Sequence, residues 1–111
     1  MILFINTTDL NKITFALIDE GSKKRPIKKT LKIEYHESSS TLAHLDAFLR
    51  SNKVIKGSLI LNLKSLIFVS GPGSFTGIRI AAAITQALGF AWNIPVRAIK
   101  KEKIPKDLRE L

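Results

Sequence analysis

Residues 66–92, LIFVS-GPGSFTGIR-IAAAITQALGFAW, govern how the rest of the chain is read. An apolar run of strand length ends in nine residues that hold three glycines, a proline, two hydroxyls and an arginine; a long apolar segment follows. Leu66–Val69 fits a fully buried strand. Phe75–Trp92 fits a helix, ended by Asn93 and the helix-incompatible Pro95. The loop between them is either a cradle for a phosphate or a turn whose glycines serve the backbone.

Counting separates the two. A Walker loop, G-x-x-x-x-G-K-[ST], fails because Thr76 stands where its second glycine is needed and Ile78-Arg79 follow Gly77 with no lysine. A dinucleotide loop, G-x-G-x-x-G, fits Gly71 and Gly73, but the third glycine comes one residue late, at Gly77. The region about twenty residues on, IPVRAIK, offers no acid to hold a ribose. A sharp strand-to-helix turn needs the freedom of Gly71 and Gly73 and the rigidity of Pro72, with Ser74 as N-cap, Phe75 and Thr76 opening the helix, and Gly77 allowing close approach to a neighbour. The turn reading fits better, with a bound phosphate as the alternative. Arg79 lies near the positive end of the helix, where the dipole disfavours a cation, so an anionic group, carboxylate or phosphate, is expected to compensate it.

Working outward, Ile2–Asn6 reads as a buried strand ended by Asn6-Thr7-Thr8-Asp9, and Ile13–Ile18 as a second, closed by the turn Asp19-Glu20-Gly21-Ser22. Thr30–Tyr35 alternates like a half-solvated third strand after a lysine-rich link containing Pro26. Leu42, Leu45, Phe48 and Leu49 share one side of a helix over Thr41–Arg50, with Ser38 to Ser40 as N-caps. Residues 52–64 are ambiguous, strand or apolar connection. Ile94–Ala98 suggests a last strand, and the charged residues 101–111 a frayed tail. The order β-β-β-α-β-α-β implies an α/β fold with a mixed sheet of about five strands and both helices on one face.

The helix over 75–92 is apolar nearly all round, since only Thr85 and Gln86 are polar between Ile80 and Trp92. Its own sheet covers one side; the chain has one other helix to cover the second. Ala83, Ala87 and Ala91, four apart, form a small-residue ridge for another helix. The surface reads as a partner interface, with packing against the first helix as the plainer alternative.

The 111 residues suit one domain, and 45% hydrophobic with 24% charged residues fits a soluble globular one. No signal peptide and no span long enough for a bilayer is visible, so a cytoplasmic protein without membrane contact is expected. The absence of cysteine excludes disulfides, iron–sulfur clusters and thiolate zinc sites. His36 and His44 stand eight apart without carboxylates at ligand spacing and read as surface residues; no metal is expected. The net charge of +9 concentrates in KKRPIKK, Lys23 to Lys29, and in the tail. Such runs attract nucleic-acid phosphates or simply solvate loops. No aromatic residues interleave with them to stack on bases.

GPGSFTGIRI followed by AAAITQALGFAWNIPV closely resembles the signature of the TsaB (YeaZ) family, in the Gcp-like branch of the actin/Hsp70/sugar-kinase superfamily. ILFINTTD resembles that family's first strand and turn, and STLAHLDAFL its first helix. The resemblance covers about residues 1–100, with 101–111 as a basic tail. It implies one actin-like (ribonuclease H-like) lobe of the family's two. It also implies a non-catalytic accessory subunit of tRNA N6-threonylcarbamoyladenosine biosynthesis, without cofactor, that binds a TsaD-like catalytic subunit. Recruitment of a TsaE-like ATPase, and tRNA contact indirectly or through the basic segments, also come with it. Docking would run through the two helices, by Leu42, Leu45, Phe48, Leu49, Gly77, Ile80, Ala83, Ile84, Ala87, Leu88 and Ala91. The chain departs from the pattern at Asn6, where the family's first strand usually ends in aspartate, and it lacks the H-x-x-x-H metal pair of TsaD-type subunits. Both departures argue against catalysis, as does a single lobe, because an actin-like site lies between two. A small nucleotide-binding protein using GPGSFTG, and a basic RNA-binding module, are the alternatives. Without a partner the helices are expected to form homodimers.

Overall fold

In a computed structural model that describes every residue except Ser22, five strands form one mixed sheet in the order β3-β2-β1-β6-β7. The strands are β1 (Ile2–Asn6), β2 (Lys12–Ile18), β3 (Ile27–Lys32), β6 (Ser65–Val69) and β7 (Val96–Ile99). Helices α1 (Ser38–Ser51) and α2 (Phe75–Trp92) lie on either side of β6 in the chain, and α1 leads to β6 through β4 (Ile55–Lys56) and β5 (Leu59–Ile60), a separate hairpin that fills the ambiguous segment. The pairs β1–β2 and β2–β3 are antiparallel, and β1–β6 and β6–β7 parallel. The expected meander and helical crossovers are therefore present. Ser22, read as part of the turn after β2, lies outside the described residues.

Strand β1 is central and buried on both faces because its residues alternate between two apolar layers. Leu3 and Ile5 point toward the helices, with Ile13, Phe15, Leu17, Leu66 and Phe68 beside them and Leu45, Phe48, Leu49 and Ala81 above. Ile2 and Phe4 point the other way, with Ala16, Ile18, Ile67 and Val69. The expectation that both helices lie on one face holds.

Strands β2 and β6 each start one residue earlier than the sequence reading, at Lys12 and Ser65, and three further elements differ more. Strand β3 comes earlier, at Ile27–Lys32, so half of the lysine-rich link is strand. It is an edge strand with little burial on either face, so hydrophobic alternation does not mark it. Helix α1 begins at Ser38 with Glu37 as cap and no side-chain cap bond; the serines lie inside its first turn, where Ser39 Oγ donates to Glu37 Oε1 at 2.7 Å. Strand β7 is Val96–Ile99 rather than Ile94–Ala98.

The tail is not frayed. Short 3-10 turns at Lys101–Lys103 and Leu108–Glu110 let Ile104, Leu108 and Leu111 pack on the sheet face that the helices leave open. Lys101 N–H donates to Gly71 O at 2.8 Å, and Arg109 Nη1 donates to Lys23 O at 2.9 Å. Hydrogen bonds from the Arg109 side chain hold the exposed Asp107 carboxyl below its ordinary pKa. That pairing is therefore complete above the ordinary carboxylate range and is lost as the pH falls below it. The charge run hid three apolar residues spaced to cover Ile2, Phe4 and Ile67. Leu108→Ala should lower stability by about 1–2 kcal/mol in urea denaturation, less than a fully buried leucine would; an unchanged midpoint would show that the segment contributes nothing.

The glycine loop and the outer face of the second helix

The loop 71–74 is held by backbone closeness. Gly71 and Gly73 have φ of +124° and +152°, values that L-residues rarely adopt. A Cβ at Gly73 would run into the Thr8 carbonyl and side chain. Ser74 N–H donates to Thr8 O at 2.7 Å, and the Ser74 hydroxyl accepts from Gly77 N–H at 3.1 Å, the expected N-cap. Asn6 is also engaged: its Oδ1 accepts from Thr8 N–H at 3.0 Å and from Thr8 Oγ1 at 2.7 Å. The Asn6–Asp9 turn and the glycine loop thus occupy each other. The glycines of the loop thus each have a backbone role within the chain.

Four small residues seat α2. Gly77, Ala81, Thr85 and Gly89, spaced by four, are its buried residues. A Cβ on Gly77 would overlap Thr7 O and come within 2.7 Å of His36 Nε2. Thr7 Oγ1 donates to Gly77 O at 2.7 Å. One on Gly89 would meet Val96 and lie 2.8 Å from Ile94 O. Thr85 is accommodated inside because its hydroxyl donates to Ala81 O at 2.8 Å. Asn93 ends the helix in the left-handed region, φ 55°.

This seam corrects part of the expected docking set. Gly77 faces the chain's own first turn. Leu45, Phe48 and Leu49 are fully buried core residues of α1, because the apolar side of that helix points into the sheet. His36, expected at the surface, is buried: its Nε2–H donates to Asp9 O at 2.6 Å, and the ring sits against Gly77. His44 is exposed. Arg79 has no carboxylate partner among the described residues; its guanidinium lies over the Phe75 ring at 5.3 Å, an attraction the aromatic quadrupole supplies.

What remains outward is mostly apolar, with the exposed Thr76, Arg79 and Gln86 set among it. Phe75 and Phe90 are 73% and 92% exposed, Ala83, Ala87 and Ala91 are exposed, and Ile80, Ile84 and Leu88 are half-buried. Phe75 and Phe90 lie about 22 Å apart along the axis. Leu42 of α1 is 46% exposed. A shallow groove between the start of α1 and the first turns of α2 is lined by Ser38, Phe75, Thr76, Arg79, Ile80, Ala83 and Ile84. Sequence reasoning found the alanine ridge but missed the two phenylalanines that flank it and the inner Gly77–Gly89 seam, which the spacing of four would have revealed.

Among the described residues no three His, Cys, Asp or Glu side chains gather as metal ligands, and no helix is long and apolar enough to cross a membrane.

Sheet order, crossovers and the helix layer define an α/β domain of the actin-like, ribonuclease H-like class. Two solved structures from Pseudomonas aeruginosa share it. One is an uncharacterized protein with similarity to peptidase YEAZ, with TM-score 0.71 and 26% identity over 89% of this chain and 42% of that one. The other is YeaZ, with TM-score 0.71 and 28% identity over 89% and 43%. The family model for TsaD, tRNA N6-adenosine threonylcarbamoyltransferase, matches residues 29–102, and the chain belongs to that family as a TsaB/YeaZ-like Gcp domain. The tRNA threonylcarbamoyladenosine biosynthesis protein TsaB of Haemophilus influenzae is 53% identical over 32 residues, 29% of this chain and 14% of that protein. The chain thus spans less than half the length of the relatives it matches.

Gly77→Ala tests the seam. Helix propensity favours alanine by about 1 kcal/mol, yet overlap with Thr7 and His36 should reverse the sign and cost about 2 kcal/mol or more in thermal or urea unfolding. Ala83→Gly, outside the seam, should cost only about 1 kcal/mol.

Proposed function

We propose that the chain is a non-catalytic subunit in tRNA N6-threonylcarbamoyladenosine formation, and that it docks a TsaD-like catalytic subunit against the outer face of α2 and the adjoining edge of α1. The observation that carries this reading is the exposed strip from Phe75 to Phe90. A small-residue ridge flanked by two aromatic side chains suits close packing of a partner helix, and such a strip on an uncovered helix marks an interaction surface. The contact set is Leu42, Ile80, Ala83, Ile84, Ala87, Leu88 and Ala91, joined by Phe75 and Phe90, without the buried Leu45, Phe48, Leu49 and Gly77. A non-catalytic role is supported by Asn6, a neutral residue whose side-chain oxygen is taken up by Thr8. Recruitment of a TsaE-like ATPase belongs to the same proposal, and it acts in the cytoplasm.

In the absence of that partner the strip pairs with its own copy, because an isologous contact buries the same face twice. Co-purification with a TsaD homologue should be lost, by tenfold or more in affinity, in Ala83→Arg and Ala87→Arg, since a buried unpaired charge is costly at the centre of a helix contact. Light scattering should show concentration-dependent dimers that the same substitutions abolish. Binding unchanged in both variants would overturn the docking reading, and a monodisperse monomer at high concentration would overturn the dimer.

A further inference from the structure

The sheet face opposite the helices carries a basic strip that packing does not account for. Register and core layers assign its members. Ala16 lies in the layer away from the helices, and its cross-strand partner is Lys28. Alternation along β2 and β3 then puts Thr14, Thr30, Lys12 and Lys32 on that same face. Lys12 and Lys32 are directly opposite one another, an arrangement that costs free energy in an isolated sheet. The Thr14 and Thr30 hydroxyls lie 3.1 Å apart between the lysine rows. At one end of the strip Lys101 joins it, and Lys12 and Lys101 share a single carboxylate, Asp9, at 3.7 Å each. At the other end an open groove is lined by Arg25, Lys28, Lys106 and Arg109, whose one acid, Asp107, is paired with Arg109.

Edge protection does not explain this. Lysines on β3 alone would discourage edge-to-edge pairing, but Lys12 is on β2, an interior strand, and faces Lys32 across the sheet. A membrane fits poorly, since a surface-lying element needs apolar anchors among its cations. The exposed strand residues here are lysines and Thr30, with Leu10 a lone exposed apolar side chain beside Lys12 and Lys32, while the exposed phenylalanines belong to α2 on the opposite side. Cations and hydroxyls without aromatic platforms suit the phosphate backbone of a folded nucleic acid, recognised by shape and charge rather than by base.

We infer that the face formed by Lys12, Lys28 and Lys32, extended by Lys101 and Arg25, binds the phosphate backbone of structured RNA. The choice of RNA rests on the function proposed above, whereas the charge placement does not. The docking strip on α2 lies on the other side of the sheet, so one chain can hold RNA and a protein partner together.

Fluorescence anisotropy of the full chain with an unmodified tRNA transcript, between 50 and 200 mM salt, tests this. Binding should weaken steeply with salt and differ little between two unrelated tRNAs. Lys12→Gln/Lys28→Gln/Lys32→Gln should bind about tenfold more weakly at low salt, with a log–log slope shallower by about two to three. Lys53→Gln/Lys56→Gln/Lys64→Gln, with the same change in net charge on exposed residues elsewhere, should behave like the unsubstituted chain. Equal losses in the two triple variants, a flat salt dependence of the unsubstituted chain, or tighter binding to phosphatidylserine vesicles than to tRNA would each overturn the inference. Ala83→Arg separates the two proposals: it should abolish capture of the TsaD homologue and leave tRNA binding intact. Loss of capture alone therefore bears on docking, and loss of RNA binding alone on the basic face.

Discussion

The architecture depends on how closely one helix can approach the backbone beneath it. Gly77 and Gly89 bring the two ends of α2 into contact with Thr7, His36, Ile94 and Val96, and Ala81 and Thr85 continue the seam between them. Nothing larger fits at the two glycines. Because the helix is held by its smallest residues, Phe75 and Phe90 are left outside. The same constraint fixes the loop that precedes it: Gly73 admits the Thr8 carbonyl, Ser74 caps the helix, and the first β-turn is locked against the second crossover. The exposed outer strip and the core are thus two sides of one packing decision.

The sheet below divides the remaining roles. Its helix side is closed by α1, α2 and a layer of leucine, isoleucine and phenylalanine. Its other side is closed only in part, by three apolar residues of the tail, and beyond them it is open and cationic. The exposed lysines of β2 and β3 and the exposed phenylalanines of α2 therefore lie on opposite sides of the sheet.

Much of the fold was legible because burial leaves a period in the sequence. Strand β1 and helix α2 were bounded correctly: both lie in the densest packing, and both end in residues with a specific backbone role, Asn6 and Asn93. Where burial is slight, the period vanishes. Strand β3 has exposed lysines on both faces, so the pattern places it three residues late, and the tail looks frayed because its cations outnumber Ile104, Leu108 and Leu111. The exposure of the expected contact residues was half legible. Amphipathic spacing groups Leu45, Phe48 and Leu49 with Leu42 but does not say which way the group points, and the sheet claimed the first three. Dipole grounds call for an anionic partner to Arg79; among the described residues no carboxylate supplies it, and the guanidinium lies over the aromatic face of Phe75, one turn away.

Seating a helix on glycines and alanine has a consequence for how the surface above it can change over generations. Phe75, Ala83, Ala87 and Phe90 lie outside the seam, so the surface they form can drift without loss of foldability. Replacement of Gly77 is penalised whatever that surface becomes. The rod is conservative underneath and free to diversify on top.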